Sequence, residues 1–293
     1  MQIVNKNEIR IIGLQRSGNH AIIEWIIRQC KGKVCFLNDI KAYPLGIEKV
    51  LYEKINDEII LKNINNKLEY KEILRLKKDY LIYSYEDKRI KCLKRNNEKL
   101  FGKSLKKYYI LILRDPFNLF ASRIKLEEKR LLFGFKLNKK IKLEKIMEIL
   151  LNKDTKKNRI IRLADYLNKN FSKKRIINLW KEHAAAYLMN FTNKKFIVIN
   201  YNKWFKEKKY RQEISKKLRL KYKEPKGISF FGGGSSFDNI KYYKNPYRMK
   251  VLERWKQYVN NNTYKNIFKD KELIELSDKI FGKIPNTEIL KNY

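Results

Sequence analysis

The chain alternates between short, almost solidly apolar runs and longer stretches in which apolar residues recur every three or four positions. Runs suited to buried strands occur at Glu8 to Leu14, Val34 to Leu37, Tyr80 to Tyr85, Tyr108 to Leu113 and Lys195 to Asn200. Helical spacing falls between and after them, at His20 to Cys30, Phe117 to Arg130, Leu143 to Leu151, Arg175 to Phe191 and Tyr210 to Leu220. Apolar strands separated by helices predict right-handed βαβ crossovers and a parallel sheet of about five strands covered on both faces. Ligands of such sheets bind at the carboxyl ends of the strands, so the residues that directly follow each strand matter most.

The segments 47–78 and 130–174 are charge-rich and helical in flavour, and they read as excursions from the sheet. No internal repeat is visible. Gly232-Gly233-Gly234, followed by Ser235 and Ser236, is the one marked backbone breaker. It falls late in the chain, which favours a loop folding back onto a site over a linker, so a single domain spanning 1–293 is expected.

Composition narrows this picture. At 43% hydrophobic residues against 34% charged, the sequence can fold around a core. The N-terminus lacks the pattern of a signal peptide, and no apolar run approaches the roughly 20 residues of a membrane span. A soluble, cytoplasmic protein is expected, with peripheral membrane contact left open. Cys30, Cys35 and Cys92 are odd in number and lack metal-ligand spacing, which points to buried thiols rather than a disulfide framework or a metal centre.

The formal net charge of +38 has two readings. Lys, Asn, Ile and Tyr are the residues that AT-rich codons favour, and the lysines are spread along the chain, as in a solvated surface of compositional origin. The other reading is a face that attracts anions.

Two stretches carry chemistry. "GLQRSGNHAII", residues 13–23, follows the first predicted strand and opens a helix. Gly13 and Gly18 have the spacing of a phosphate-cradling loop, where backbone N–H groups and a helix N-terminus converge on an anion. Arg16 and Ser17 add a guanidinium and a hydroxyl. In nucleoside-triphosphate enzymes the next two residues are a lysine that reaches the β/γ-phosphates and a Ser/Thr that holds magnesium. Here they are Asn19 and His20, so the ligand expected is a 5′-phosphate that needs no metal and has no γ-phosphate. The competing reading is a plain strand-to-helix turn in which Asn19 or Ser17 caps the helix.

"YYILILRDPFNLFASR", residues 108–123, is a strand ending in Arg114, then Asp115 as N-cap and Pro116 as first helical residue. Ser122 lies two turns into that helix and can face back toward Arg114. A guanidinium with a hydroxyl suits a second phosphate.

With these two blocks the chain resembles the sulfotransferases that use 3′-phosphoadenosine 5′-phosphosulfate (PAPS). Arg16-Ser17-Gly18-Asn19 matches their 5′-phosphosulfate loop, and Arg114, Pro116 and Ser122 match the Arg-x-Pro-x5-Ser motif that binds the 3′-phosphate. "FIVINYNKW", residues 196–204, looks like the family's later strand, and Gly233, Gly234 and Ser235 stand where a glycine-containing loop closes over the 3′-phosphate, although the Arg-Lys-Gly opening of that loop is missing. The resemblance implies a P-loop NTPase-like three-layer α/β sandwich with helical insertions. It also implies PAPS as donor, 3′-phosphoadenosine 5′-phosphate (PAP) as product, and no metal.

It further implies that Arg16 stabilises the departing phosphate. His20 is a candidate donor or base, against the plainer reading of a helix-start histidine packed on the sheet. Glu86, which ends the third predicted strand, is the first candidate for a general base; Asp87 and Glu24 are alternatives. His183 reads as a core-edge histidine. The arginine form of the loop is similar to the carbohydrate-modifying branch, and with the basic surface it points to a saccharide or polysaccharide acceptor. The rival reading is a non-catalytic nucleic-acid- or phosphate-binding protein on the same fold, though no specific nucleic-acid motif appears. A metal-dependent nucleotide kinase is disfavoured by Asn19 and His20.

Overall fold

The structure is a computed structural model that describes residues 2–40, 51–55, 58–62, 72–132, 173–189, 196–229, 231, 235, 237–238, 241–242 and 245–291. In chain order the elements used below are β1 (Ile3–Gly13), α1 (Asn19–Gln29), β2 (Val34–Leu37), β3 (Leu51–Ile55), β4 (Glu58–Lys62), β5 (Lys78–Glu86), α2 (Glu98–Phe101), β6 (Lys103–Leu113), α3 (Pro116–Leu132), α4 (Lys173–Leu188), β7 (Phe196–Asn200), α5 (Tyr201–Lys206), α6 (Lys208–Lys217), α7 (Asn262–Lys265) and α8 (Lys271–Phe281). The predicted helix at Leu143 to Leu151 and most of the 130–174 excursion lie outside the described residues. The chain divides into two compact units, residues 1–114 with 182–232, and residues 115–181 with 233–293.

The first unit holds a seven-stranded sheet in the order β4-β3-β2-β5-β1-β6-β7. From β2 to β7 the pairings are parallel, so the five strands expected from the apolar runs form one parallel sheet, with β1 at its middle. This is the P-loop type of α/β order: the chain leaves the central strand straight into the glycine turn and α1. The two further strands correct the helical reading of segment 47–78. β3 pairs antiparallel with β2 and with β4, Cys35 opposite Glu53 and Tyr52 opposite Leu61. A hairpin was hidden there because Glu and Lys interrupt the alternation, while the Phe36 and Tyr52 rings stack at 5.7 Å across the strand pair.

One face of the sheet is a continuous core of Ile12, Leu37, Leu81, Tyr83, Tyr85 and Leu111, joined by Phe101 of α2 and Ala186 of α4. Two charges interrupt this face. Glu8 and Arg10, each 2% exposed, point the same way two residues apart on β1. Such charges persist in a core only when paired. Arg10 Nε donates to Glu8 Oε1 at 2.7 Å and Arg10 Nη1 to the Leu93 carbonyl at 2.8 Å, while the Tyr83 hydroxyl donates to Glu8. The pair thereby fastens the short 3-10 turn Ile90–Lys94, just past β5, onto the central strand.

The three cysteines are free and buried, and burial pushes the Cys35 thiol up to about 12. Among the described residues no helix is long and apolar enough to cross a membrane.

In the second unit α3 begins as its sequence dictates: Asp115 Oδ1 accepts from the Asn118 backbone N–H at 2.8 Å, with Pro116 in the first helical position. Asn118, fully buried, then organises the neighbouring chain. Its Oδ1 accepts from the Arg254 N–H at 2.8 Å and its Nδ2 donates to the Leu252 carbonyl at 3.1 Å. The Tyr264 hydroxyl donates to the Phe117 carbonyl at 2.8 Å, so α7 is tied to the same helix start.

Candidate functional site

The glycine turn after β1 is folded tightly. Arg16 and Gly18 both have left-handed backbone (φ 75° and 85°), and the Ser17 N–H donates back to the Leu14 carbonyl at 3.0 Å. Gly18 is the N-cap of α1, so no side chain caps the helix, and its first turn carries no acidic residue. The orphan N–H groups and the positive helix end therefore have no side-chain cap and no competing carboxylate in that turn. Ser17 Oγ is fully buried with no hydrogen-bond partner among the described residues, a polar group that the protein itself leaves unsatisfied.

Asn19 and His20 are turned elsewhere. Asn19 Nδ2 donates to the Leu14 carbonyl at 3.1 Å and to Glu86 Oε1 at 2.9 Å. A Cβ on Gly13 would sit 2.2 Å from Asn19 Oδ1, which is why glycine opens the turn. His20 Nε2 lies 3.1 Å from Asn38 Oδ1 and 4.0 Å from Glu86 Oε1, with its ring edge-on to Phe231. The structure thus brings two of the three sequence-predicted catalytic side chains, His20 and Glu86, side by side.

The strand tips are laced together by two carboxylates in left-handed backbone, Asp39 (φ 46°) after β2 and Asp87 (φ 50°) after β5. The Glu86 N–H donates to Asp39 Oδ1 and the Gln15 N–H to Asp87 Oδ1, both at 2.9 Å. Asp87, an alternative base by sequence, is used to hold the glycine turn, and Glu24 is engaged by Arg28 at 2.6 Å. Left-handed non-glycine residues at three adjoining strand tips are strain of the kind that gathers at functional sites. Behind them α4 clamps the turn that follows Glu86. His183, fully buried, has Nε2 2.8 Å from the Lys88 carbonyl, and Glu182 accepts from the Ile90 N–H at 2.9 Å. Burial lowers the His183 pKa and keeps the ring neutral, as expected for a core-edge histidine.

Glu86 is the electrostatically unusual group. Burial pushes its carboxyl above the ordinary range; His20 and the Asn19 hydrogen bond oppose that, and Asp39 and Asp87 reinforce it. A Gln at this position would still accept from Asn19 but would carry no charge. Below the unfolded glutamate pKa of about 4.3 the carboxyl is neutral in both states and costs nothing, whereas ionised Glu86 subtracts from stability as pH rises through the raised folded-state value. Glu86→Gln should therefore melt at a higher temperature than the parent at about pH 7.5, with the gap closing by about pH 4. A gap that is independent of pH in those melts would contradict the buried, pKa-raised carboxylate.

Arg114 directly follows β6 and is 2% exposed. Its Nη1 donates to the Arg16 carbonyl at 3.0 Å, and its guanidinium lies 5.0 Å from the centre of the Tyr201 ring. Tyr201, the first residue of α5, also closes against Gly18, where an added Cβ would meet the ring at 2.0 Å. The first unit thus gathers Arg16, Ser17, Gly18, Asn19, His20, Glu86 and Arg114 about one turn.

In the second unit Ser122 and Ser235 are brought together by a residue that sequence reasoning missed. Arg254 Nη1 donates to Ser122 Oγ at 3.2 Å and Nη2 to Ser235 Oγ at 2.8 Å, with Asp238 Oδ2 at 3.4 Å and the Phe237 ring centre at 4.8 Å. Nothing local marks Arg254: it reaches the serines because Asn118 captures its backbone N–H. Tyr201 had a signal, its place directly after a strand. Gly233 and Gly234 lie outside the described residues. Among the described residues no group of three or more His, Cys, Asp or Glu is arranged to hold a metal ion.

No protein-family model and no curated protein matches the sequence. Among solved structures the chain is similar to a mouse sulfotransferase complexed with PAP, at 14% identity and a TM-score of 0.46 over 93% of this chain and 90% of that one. It is also similar to the sulfotransferase domain from the Synechococcus olefin synthase, at 11% identity and a TM-score of 0.44 over 97% of this chain and 98% of that one.

Proposed function

We propose that this chain is a PAPS-dependent sulfotransferase acting on a hydroxyl or amine of a saccharide or polysaccharide. The observation that carries the reading is the uncapped, glycine-started first turn of α1 with the buried Ser17 Oγ beside it, in a loop whose Asn19 and His20 are committed to protein partners. Such a turn suits a phosphate gripped by backbone N–H groups and a hydroxyl, with no lysine for a γ-phosphate and no Ser/Thr for magnesium.

The donor, when bound, supplies a sulfuryl group on its 5′-phosphate, and PAP is what remains. The turn's N–H groups and Ser17 hold the 5′ end, and Arg16 offsets the charge that builds on the leaving phosphate oxygen. The Arg-x-Pro-x5-Ser motif assigns Arg114 and Ser122 to the 3′-phosphate. Arg254, hydrogen-bonded to Ser122 and Ser235, adds a guanidinium to those serines in place of the missing Arg-Lys-Gly. Glu86 takes the acceptor's proton, and its raised pKa brings it closer to neutrality, where a general base works best. His20, 4.0 Å away and held by Asn38, orients the carboxylate. If Glu86 is the base, Glu86→Gln loses about 10²- to 10⁴-fold in kcat, with donor binding retained.

Titration calorimetry tests the reading. PAP should bind in the presence of a chelator and more tightly than ATP with magnesium. Tighter binding of ATP that depends on magnesium would replace sulfuryl transfer with kinase-type chemistry. Binding of neither, with tight oligonucleotide binding, would favour the non-catalytic alternative. A screen of glycan, lipid and phenol acceptors with radiolabelled donor then identifies the acceptor class.

A further inference from the structure

The charge that the sequence leaves ambiguous is not evenly placed. Between Lys203 and Lys226, on α5, α6 and the segment after them, ten lysines and arginines are exposed against three exposed acids, Glu207, Glu213 and Glu224. The comparably long helical stretch 262–291 exposes four lysines, Lys269, Lys271, Lys279 and Lys283, also against three acids, Glu272, Glu275 and Glu288. A lysine bias of genomic origin would raise both stretches alike. The stretch 89–106 is also basic, exposing seven lysines and arginines and no acid, but the element at 203–226 is the one that starts at Tyr201, whose ring lies against Gly18 and Arg114.

The basic element is also rigid. Arg211 is buried under it, donating to the Trp204 carbonyl at 2.8 Å and pairing with Glu224. Ser215 Oγ donates to Gln29 Oε1 at 2.6 Å, and Trp25 Nε1 donates to the Lys223 carbonyl at 2.7 Å, so α1 anchors both α6 and the extended segment behind it. The cations therefore project from a fixed scaffold, and binding a polyanion does not first have to order the backbone.

We infer that α5, α6 and the segment to Lys226 form a docking surface for an acidic polysaccharide, the chain that carries the acceptor group; that role of acceptor rests on the sulfotransferase reading above. Single-stranded nucleic acid and membranes need features this surface lacks, while duplex nucleic acid, which also asks only for spaced cations, is told apart by the test below. Single-stranded nucleic acid is held largely by stacking on aromatic rings. Here Tyr210 and Tyr222 are only partly exposed, and their hydroxyls are tied to Val198 and Glu224. A membrane-surface helix inserts large apolar side chains, and no exposed large hydrophobic residue of the described chain falls between 203 and 226. A polysaccharide of carboxylates or sulfates asks only for spaced cations.

The test separates place from total charge. Lys208, Lys209, Lys216 and Lys217 are changed together to Gln in one variant, and Lys269, Lys271, Lys279 and Lys283 in a control with the same net charge. Binding of fluorescent heparin and of polygalacturonate is measured at low salt and at about 0.3 M salt, with neutral dextran, a DNA duplex and anionic lipid vesicles as comparisons. The α6 variant should bind the acidic polysaccharides about tenfold more weakly or worse, the control within about twofold of the parent, with wild-type affinity falling as salt rises. Both variants should bind PAP like the parent. Equal losses in the two variants, or tighter parental binding to duplex or vesicles than to either polysaccharide, would overturn the inference. If PAP fails to bind any of the three proteins while the α6 loss persists, the surface stands and the sulfotransferase reading falls.

Discussion

Arg114→Lys is expected to leave a folded protein and to weaken PAP binding by about 10- to 100-fold, or roughly 1.4 to 2.7 kcal/mol. The side chain is almost wholly buried, so truncation to alanine would leave a hole and remove the hydrogen bond to the Arg16 carbonyl, and the measured effect would mix stability with binding. Lysine keeps the charge. It cannot lay a planar fork across the Tyr201 ring, donate to Arg16 and still present a second edge to a phosphate. Comparing PAP with adenosine 5′-monophosphate in the same titrations decides which role dominates. If residue 114 grips the 3′-phosphate, as the sequence motif assigns, PAP loses affinity and the monophosphate barely changes. Equal losses for both nucleotides would mean that Arg114 acts by holding the glycine turn in shape, and the assignment of the 3′-phosphate to it would be wrong.

What the sequence made legible follows from how local the signals are. The five parallel strands were readable because a strand buried on both faces is a nearly unbroken apolar run, and the glycine turn because its glycines are fixed by local backbone needs: Gly18 by a positive φ and Gly13 by contact with Asn19. Asp115 and Pro116 announced the start of α3 for the same reason. The hairpin of β3 and β4 was missed because its stability comes from pairing with β2, a non-local partner that a window along the chain does not see. Glu86 could be nominated from its place after a strand, but its burial and its contacts with Asn19 and His20 depend on three separate strand tips. Asp39 and Asp87, which stitch those tips, look like ordinary loop carboxylates in the sequence. Arg254 had no signal at all, since its place is set by Asn118, 136 residues earlier. The candidate-site residues lost to sequence reading are those whose position is decided by long-range hydrogen bonds.

Gly18→Ala should have the largest effect of any single-methyl change in the site. A residue other than glycine at φ 85° costs about 1 to 2 kcal/mol in backbone strain, and here the new Cβ would also overlap the Tyr201 ring, at 2.0, 2.3 and 2.8 Å from its carbons. That ring has nowhere to go. It is 6% exposed, with Trp204 and Phe205 rings at 5.9 and 6.3 Å on its own helix and the Arg114 guanidinium over its face. Either the turn opens or α5 shifts, and both dismantle the anion cradle at the start of α1. The expected result is a loss of about 2 to 4 kcal/mol in stability, read from urea unfolding, and PAP affinity reduced by more than about 100-fold. Combining Gly18→Ala with Tyr201→Leu partitions the cost. Removing the ring should return the part due to overlap, as a coupling of about 1 to 3 kcal/mol, and leave the part due to backbone strain. A Gly18→Ala protein with parental stability and parental PAP binding would mean that the turn is neither strained nor closed by Tyr201, and the phosphate site built on it would have to be abandoned.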